Sequence, residues 1–108
     1  MASTKTVVIA NGQTTSGAVG NTGARRGYKR IGVALPATFT GASISFSVSA
    51  DGTTYQALYA ITATLVSVTV VQGRSYDLPE ELQPWPFFKI VSASAEGAER
   101  TLKVVMAE

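Results

Sequence analysis

The sequence predicts an all-β protein: an antiparallel β-sandwich or jelly roll of roughly seven to nine short strands, filling a single domain over residues 1–108. Three observations carry that expectation. Apolar residues recur with the two-residue period of extended chain, most clearly at Ile44, Phe46 and Val48 with Ser43, Ser45 and Ser47 between them. Turn-forming pairs, among them Asn11-Gly12, Asp51-Gly52 and Gln72-Gly73, punctuate the apolar runs. No stretch carries the apolar spacing of a helix beyond a single turn.

Taken in order, Thr4–Ile9 is rich in β-branched residues and reads as a first strand, stopped by Asn11-Gly12. The glycine-rich segment that follows, with Gly17, Gly20, Gly23 and Gly27, is irregular, with room for one short strand around Ser16–Val19. Tyr28–Leu35 resumes extended chain, placing Ile31, Val33 and Leu35 on one face until Pro36 ends it. Ile44–Tyr59 reads as a hairpin turning at Asp51-Gly52. Its return arm, Thr54–Tyr59, carries Tyr55, Ala57 and Tyr59 on one face and Gln56 and Leu58 on the other. In Ala63–Val71, Val66, Val68 and Val70 face inward and Ser67 and Thr69 outward, and Arg74–Leu78 is a further short strand. Pro79 suits the first position of a helical turn, Glu80 and Glu81 suit its positive end, and Pro84 stops it. Phe87–Ser94 is a strand with Phe88 and Ile90 in the core, Ala95–Ala98 a turn. Glu99–Met106 closes the chain with Leu102, Val104 and Met106 inward.

Composition narrows the function. The chain has neither cysteine nor histidine. A disulfide, a thiolate metal site, the commonest general base and the usual physiological pH switch are thereby excluded, so no enzyme activity and no cofactor is expected. Only 15% of residues are charged, against about a quarter in ordinary domains. From Ile31 to Gly73 the single charged side chain is Asp51. A serine- and threonine-rich surface of this kind is either plain solvated sheet or a face covered by partners. The opening MASTKTVVIANGQ has no apolar run long enough for a secretory signal, and no run approaches a membrane span. Most strands are shorter than the ~9–11 residues an outer-membrane barrel needs. No membrane association is expected; synthesis and retention in the cytoplasm, or in a particle assembled there, is.

Several groups of residues invite a site. Gly17–Gly23 lacks the Lys-Ser/Thr ending of a phosphate-binding loop and precedes no helical pattern, so nucleotide binding is not expected. Arg25, Arg26, Lys29 and Arg30, with Tyr28 among them, form the densest positive charge. Such a cluster suits an acidic protein partner, a solvated loop or a phosphate backbone; one aromatic is thin support for base stacking, so a protein contact is preferred over nucleic acid. Glu80 and Glu81 are adjacent, but the start of a helical turn accounts for both better than a glycosidase pair does. Asp51 and Asp77 lack the dense oxygen-ligand loop of a calcium site. Trp85, Phe87 and Phe88, between prolines, read as a plug closing the core or as a sugar platform or interface anchor.

With these residues placed, the chain resembles small virion proteins of tailed bacteriophages. The resemblance lies in an opening I-x-N-G-x-T-x-S segment (Ile9–Ser16) and a G-x-x-x-P-x-x-F strand end (Gly32–Phe39). It continues in an F-x-x-S-x-D-G-x-x-Y hairpin (Phe46–Tyr55) and a final hairpin built on Phe88–Ile90 and Arg100–Leu102. It implies a capsid decoration, or cement, protein: a homo-oligomer, commonly a trimer, on the outer surface of the icosahedral head, bracing joints between copies of the major capsid protein. The S-x-D-G-x-x-Y hairpin is also similar to carbohydrate-binding and discoidin-like sandwiches, which leaves a receptor- or glycan-binding module on a tail or fibre as an alternative. A small tail or head–tail joining protein is a third. The basic cluster matches no motif of that resemblance.

Overall fold

The computed structural model describes residues 2–20, 30–82, 85 and 87–107. Nine strands occur among them: β1 (Ala2–Ile9), β2 (Val19–Gly20), β3 (Arg30–Ala34), β4 (Ser43–Ser49), β5 (Gln56–Ala57), β6 (Ser67–Thr69), β7 (Ser75–Asp77), β8 (Phe87–Ser92) and β9 (Arg100–Ala107). Every pairing between them is antiparallel. One sheet runs β1-β9-β3-β7; the other runs β2-β8-β4-β5, with β6 also on β4. The pairs nest: the first strand lies on the last, β2 on β8, β3 on β7, and β4 on the two short strands that follow it.

The two-residue period explains how these strands make one core. Ile44, Phe46 and Val48 of β4 are all buried, and the serines between them are not fully so. Register sets Phe46 opposite Ile90 and Val48 opposite Phe88, giving the aromatic and β-branched pairs that stabilise sheets. From the other sheet, Val7 and Ile9 of β1, Leu102 and Val104 of β9 and Val33 of β3 join the same cluster. Burying each such side chain contributes about 1.5–3 kcal/mol. On β1, the outermost strand of the first sheet, Lys5 lies in register with inward Val104 yet remains exposed, a charge that discourages a further strand from adding there. Pro79 opens a single 3-10 turn, Glu80–Leu82, whose Leu82 is fully buried and closes one end of the core.

The hairpin turning at Asp51-Gly52 is present: β4 ends at Ser49, β5 begins at Gln56, and Ser47 pairs with Ala57 and Val48 with Gln56, although the return arm is strand only at Gln56–Ala57. Two expectations are corrected. The chain from Ala63 to Val71 is no continuous strand, because residues 59–66 leave the sheet and return, so that β5 and β6 are two pieces of one interrupted edge. Phe88–Ile90 and Arg100–Leu102 form no final hairpin, since β8 and β9 belong to opposite sheets and are joined by an arch across the sandwich. Within those limits, Val66 and Val70 are buried as expected and Val68 partly so; Val33 and Leu35 are buried. The Ile31 and Met106 side chains lie outside the described residues.

Candidate contact surfaces

Where the chain leaves the edge of the second sheet it builds a small, ordered finger. Leu58 and Val66, both buried, clamp its base, and the Val66 N–H donates to the Leu58 carbonyl at 3.0 Å. Leu58 in turn donates to the Phe46 carbonyl at 2.9 Å, which ties the base to β4. Above it, Tyr59 pairs with Leu65, the Ala60 N–H donates to the Thr64 carbonyl at 2.8 Å, and the Ala63 N–H to the Ala60 carbonyl at 2.9 Å. Closing so tight a turn puts Ala63 at φ 63°, the left-handed region that an L-residue with a Cβ occupies at a cost of about 1–2 kcal/mol. Alternation that buries Leu58 and Val66 turns the intervening apolar residues out: Tyr59 is 57% exposed, Leu65 41%, and Ile61, at the tip, 104%. An open groove of about 390 Å³ lies beside the finger, lined by Thr62, Thr64 and Leu65 of the finger and by Pro79 and Glu81.

The outer face of the second sheet is almost uncharged and lined by short side chains. Register places Lys89, Ser47 and Ala57 in one row, Val91, Ser45 and Ser67 in the next, and Ser43 with Thr69 beyond. Lys89 is the one charged side chain among those positions. Its ammonium sits 4.3 Å from the centroid of the Tyr55 ring, a cation–π contact that holds it over the sheet. On the first sheet, Gly32 and Ala34 leave a second depression of about 390 Å³ between Val105 and Asp77.

Glu96, placed in a plain turn by the sequence, is the most elaborately bound side chain among the described residues. It is 1% exposed. Its carboxylate accepts from the Thr40 N–H at 2.8 Å, the Gly41 N–H at 3.1 Å, the Ser92 hydroxyl at 2.9 Å and the Arg100 Nε at 2.9 Å. Arg100 continues to the Thr38 and Thr40 hydroxyls. The Glu96 backbone accepts from the Gly12 N–H at 2.8 Å and donates to the Gln13 carbonyl at 3.0 Å. One residue thus pins the loops after β1, before β4 and between β8 and β9. Burial pushes its carboxyl pKa up, but the Thr40 N–H, Arg100, Ser92 and the Gly41 N–H together bring it below the ordinary glutamate value. Gly41 makes room for this joint: a Cβ there would stand 2.2 Å from the Ser92 hydroxyl and 3.1 Å from the Phe39 ring. Gly41→Ala is expected to cost about 1–3 kcal/mol by overpacking, read as a lowered midpoint in urea unfolding.

The motif residues quoted from the sequence turn out to pin loops. Ser16 is buried and its hydroxyl accepts from the Ile90 N–H at 2.9 Å, while its own N–H donates to the Ile90 carbonyl at 2.9 Å. Ser49 and Asp51 organise the loop after β4. The Ser49 hydroxyl accepts from the Gly52 N–H at 2.8 Å, and Asp51 Oδ1 accepts from the Thr53 and Thr54 N–H groups at 2.8 and 3.0 Å. Those bonds, with that from the Ser49 hydroxyl, hold the Asp51 carboxyl down at about 2. Gly52, at φ +82°, lies against the Phe87 ring. Among the described residues no three metal-ligating side chains gather at a point.

Of the basic cluster, Arg25, Arg26, Tyr28 and Lys29 lie outside the described residues. Arg30 begins β3, in register with Ala107, and its side chain is likewise outside them. Glu81 lines the groove beside the finger; the Glu80 side chain is not among those described. Trp85 is partly buried and packs against the core, so the sequence's core-plug reading describes it better than an exposed platform. The finger was missed altogether. Its one signal was Ile61, an apolar residue out of phase with the valines after it.

No protein-family model matches the chain, and no curated protein matches it either. Among solved structures the chain is similar to the crystal structure of the SPBc2 prophage-derived protein YomS, with a TM-score of 0.59 at 12% identity, over 98% of this chain and 94% of that one. At that identity the likeness is one of fold: an all-β architecture of antiparallel sheets.

Proposed function

We propose that this protein is a non-enzymatic bacteriophage structural protein that decorates the outside of the head and stabilises it by bridging neighbouring copies of the major capsid protein. The observation that carries the reading is the outer face of the second sheet, an array of the short side chains of Ser43, Ser45, Ser47, Ala57, Ser67 and Thr69 with a single charge at Lys89. Short side chains give up little rotamer freedom when covered, so such a face can be laid broadly against another surface at low entropic cost. Serine-rich faces hold few hot spots, so each contact is weak and the bracing comes from many copies acting together on one shell.

The nested strand order supports this reading. Counting β5 and β6 as one interrupted strand leaves eight strands in nested antiparallel pairs, an order in keeping with the jelly roll that viral capsid domains and lectins share. Fold alone does not assign a role. The prophage origin of the structural neighbour agrees with a phage setting. Against the lectin reading, Trp85 is turned to the core, and Tyr55 carries Lys89 over its ring.

Cosedimentation tests the reading with purified protein and heads that lack it. Wild-type protein is expected to load onto the heads, and Ser45→Glu with Ser47→Glu, two outward positions, to reduce occupancy about tenfold or more while leaving the melting temperature unchanged. Unchanged occupancy, or wild-type binding to host surface glycan in place of heads, overturns it.

A further inference from the structure

The finger and the groove beside it fit each other's chemistry. We propose that this chain associates with a second copy of itself through a reciprocal contact, in which Ile61 of each copy enters the groove between the finger and the Pro79–Glu81 turn of the other. The contact deepens the assembly described above by naming how copies meet, and rests on that reading only in taking the protein to work as an assembly.

Four features converge on it. The finger is stiffened by its own hydrogen bonds and holds Ala63 in a costly conformation, so Ile61 is displayed on a fixed support. Tyr59, Ile61 and Leu65 expose apolar surface together on one short segment, whereas scattered single residues would need no explanation. The groove, about 390 Å³, has ample room for an isoleucine side chain and offers Leu65 and Pro79 to receive it. Finally, the finger carries no charge, and its Thr64 hydroxyl, which accepts from the Thr62 hydroxyl at 3.4 Å, keeps its own proton to donate, while Glu81 on the groove wall supplies a carboxylate acceptor. Because Thr62, Thr64 and Leu65 are both finger and groove wall, tip and recess are neighbours. One two-fold axis can therefore engage both copies at once, as an isologous contact requires. A segment this short buries well under the ~1,200 Å² of a standard interface, so the pair dissociates on dilution.

Sedimentation equilibrium on the isolated protein reads this directly. The wild-type mass is expected to rise with concentration from 11.3 kDa towards twice that value, and Ile61→Asp to stay monomeric throughout with an unchanged melting temperature, since Ile61 touches nothing in its own fold. The chain has no cysteine, which makes crosslinking clean. Ile61→Cys protein mixed with Glu81→Cys protein of distinguishable mass is expected to give the mixed disulfide in excess over both self-pairs. A wild-type protein still monomeric at about 1 mM overturns the proposal. So does an Ile61→Asp variant that associates like wild type, or a statistical mixture of disulfides. If the finger serves the head surface instead, the isolated protein stays monomeric and Ile61→Asp lowers head occupancy, which also overturns it. Head binding is read separately by cosedimentation, so losing this contact leaves the decoration reading standing or falling on its own result.

Discussion

Glu96→Ala is expected to cost about 3–5 kcal/mol of unfolding free energy, and to lower the melting temperature by about 12–20 °C. The size of the effect follows from what the substitution strands. Arg100, whose side chain is 13% exposed, loses the carboxylate it pairs with at 2.9 Å, and the Thr40 and Gly41 N–H groups lose their acceptors inside the sandwich. Each unsatisfied donor costs about 1–3 kcal/mol, and the abandoned cation adds to it. Glu96→Gln keeps the shape and one acceptor oxygen, and is expected to cost less, about 1–3 kcal/mol. The pH dependence has a definite sign. The Glu96 carboxyl is lowered in the folded state, so its contribution is present above the ordinary glutamate pKa of 4.5 and is lost as pH falls through the folded value. Asp51, held at about 2, behaves likewise at still lower pH, its contribution screened by solvent. Wild-type stability should therefore fall below about pH 4.5 more steeply than that of Glu96→Gln, a difference that urea unfolding at stepped pH measures.

Phe88→Ala should destabilise the protein by a similar amount, about 3–5 kcal/mol. Phe88 is 0% exposed and stands in register between Val19 on one side and Val48 on the other, the point where the second sheet is widest. Removing the ring takes apolar area out of contact and leaves a cavity that strands on both sides prevent from collapsing. Phe87 provides the internal comparison. Its side chain faces the opposite way, half-buried beneath Gly52, and Phe87→Ala should cost about 1–2 kcal/mol. Equal losses at the two positions would mean that the alternation of β8 is misassigned.

How much of this was legible in the sequence varies with the physics involved. Strand faces were read well wherever one side is buried, because burial forces a strict two-residue period: Ile44, Phe46 and Val48, Phe88 and Ile90, and Leu102 and Val104 all lie where the alternation puts them. Pairing was not legible. Phe88–Ile90 and Arg100–Leu102 look like two arms of a hairpin, yet they sit in opposite sheets, since local alternation says nothing about which neighbour a strand chooses. Glu96 was invisible because two of its four side-chain partners, the Thr40 and Gly41 N–H groups, lie 56 and 55 residues away in sequence; a lone glutamate between alanine and glycine looks solvated. The finger was hidden for a related reason. Residues 54–71 read as two extended arms, and the turn that lifts Ile61 out of the sheet depends on Ala63 adopting a conformation alanine rarely takes. The expected basic contact cluster, Arg25, Arg26, Tyr28, Lys29 and Arg30, belongs to a part of the chain whose side chains are not described. The serine-lined face and the finger are the contact surfaces that the described residues offer.

If the protein braces a phage head, as proposed, heating the particles shows it most directly. Heads that lack the protein are filled with DNA, divided, and one portion is restored with purified wild-type protein. The temperature at which DNA escapes is then followed by a dye excluded from intact heads. The account predicts that restored heads release DNA at a clearly higher temperature, and that heads treated with the Ser45→Glu, Ser47→Glu variant behave like untreated ones. Release at one and the same temperature in all three, with wild-type protein demonstrably bound, would contradict it.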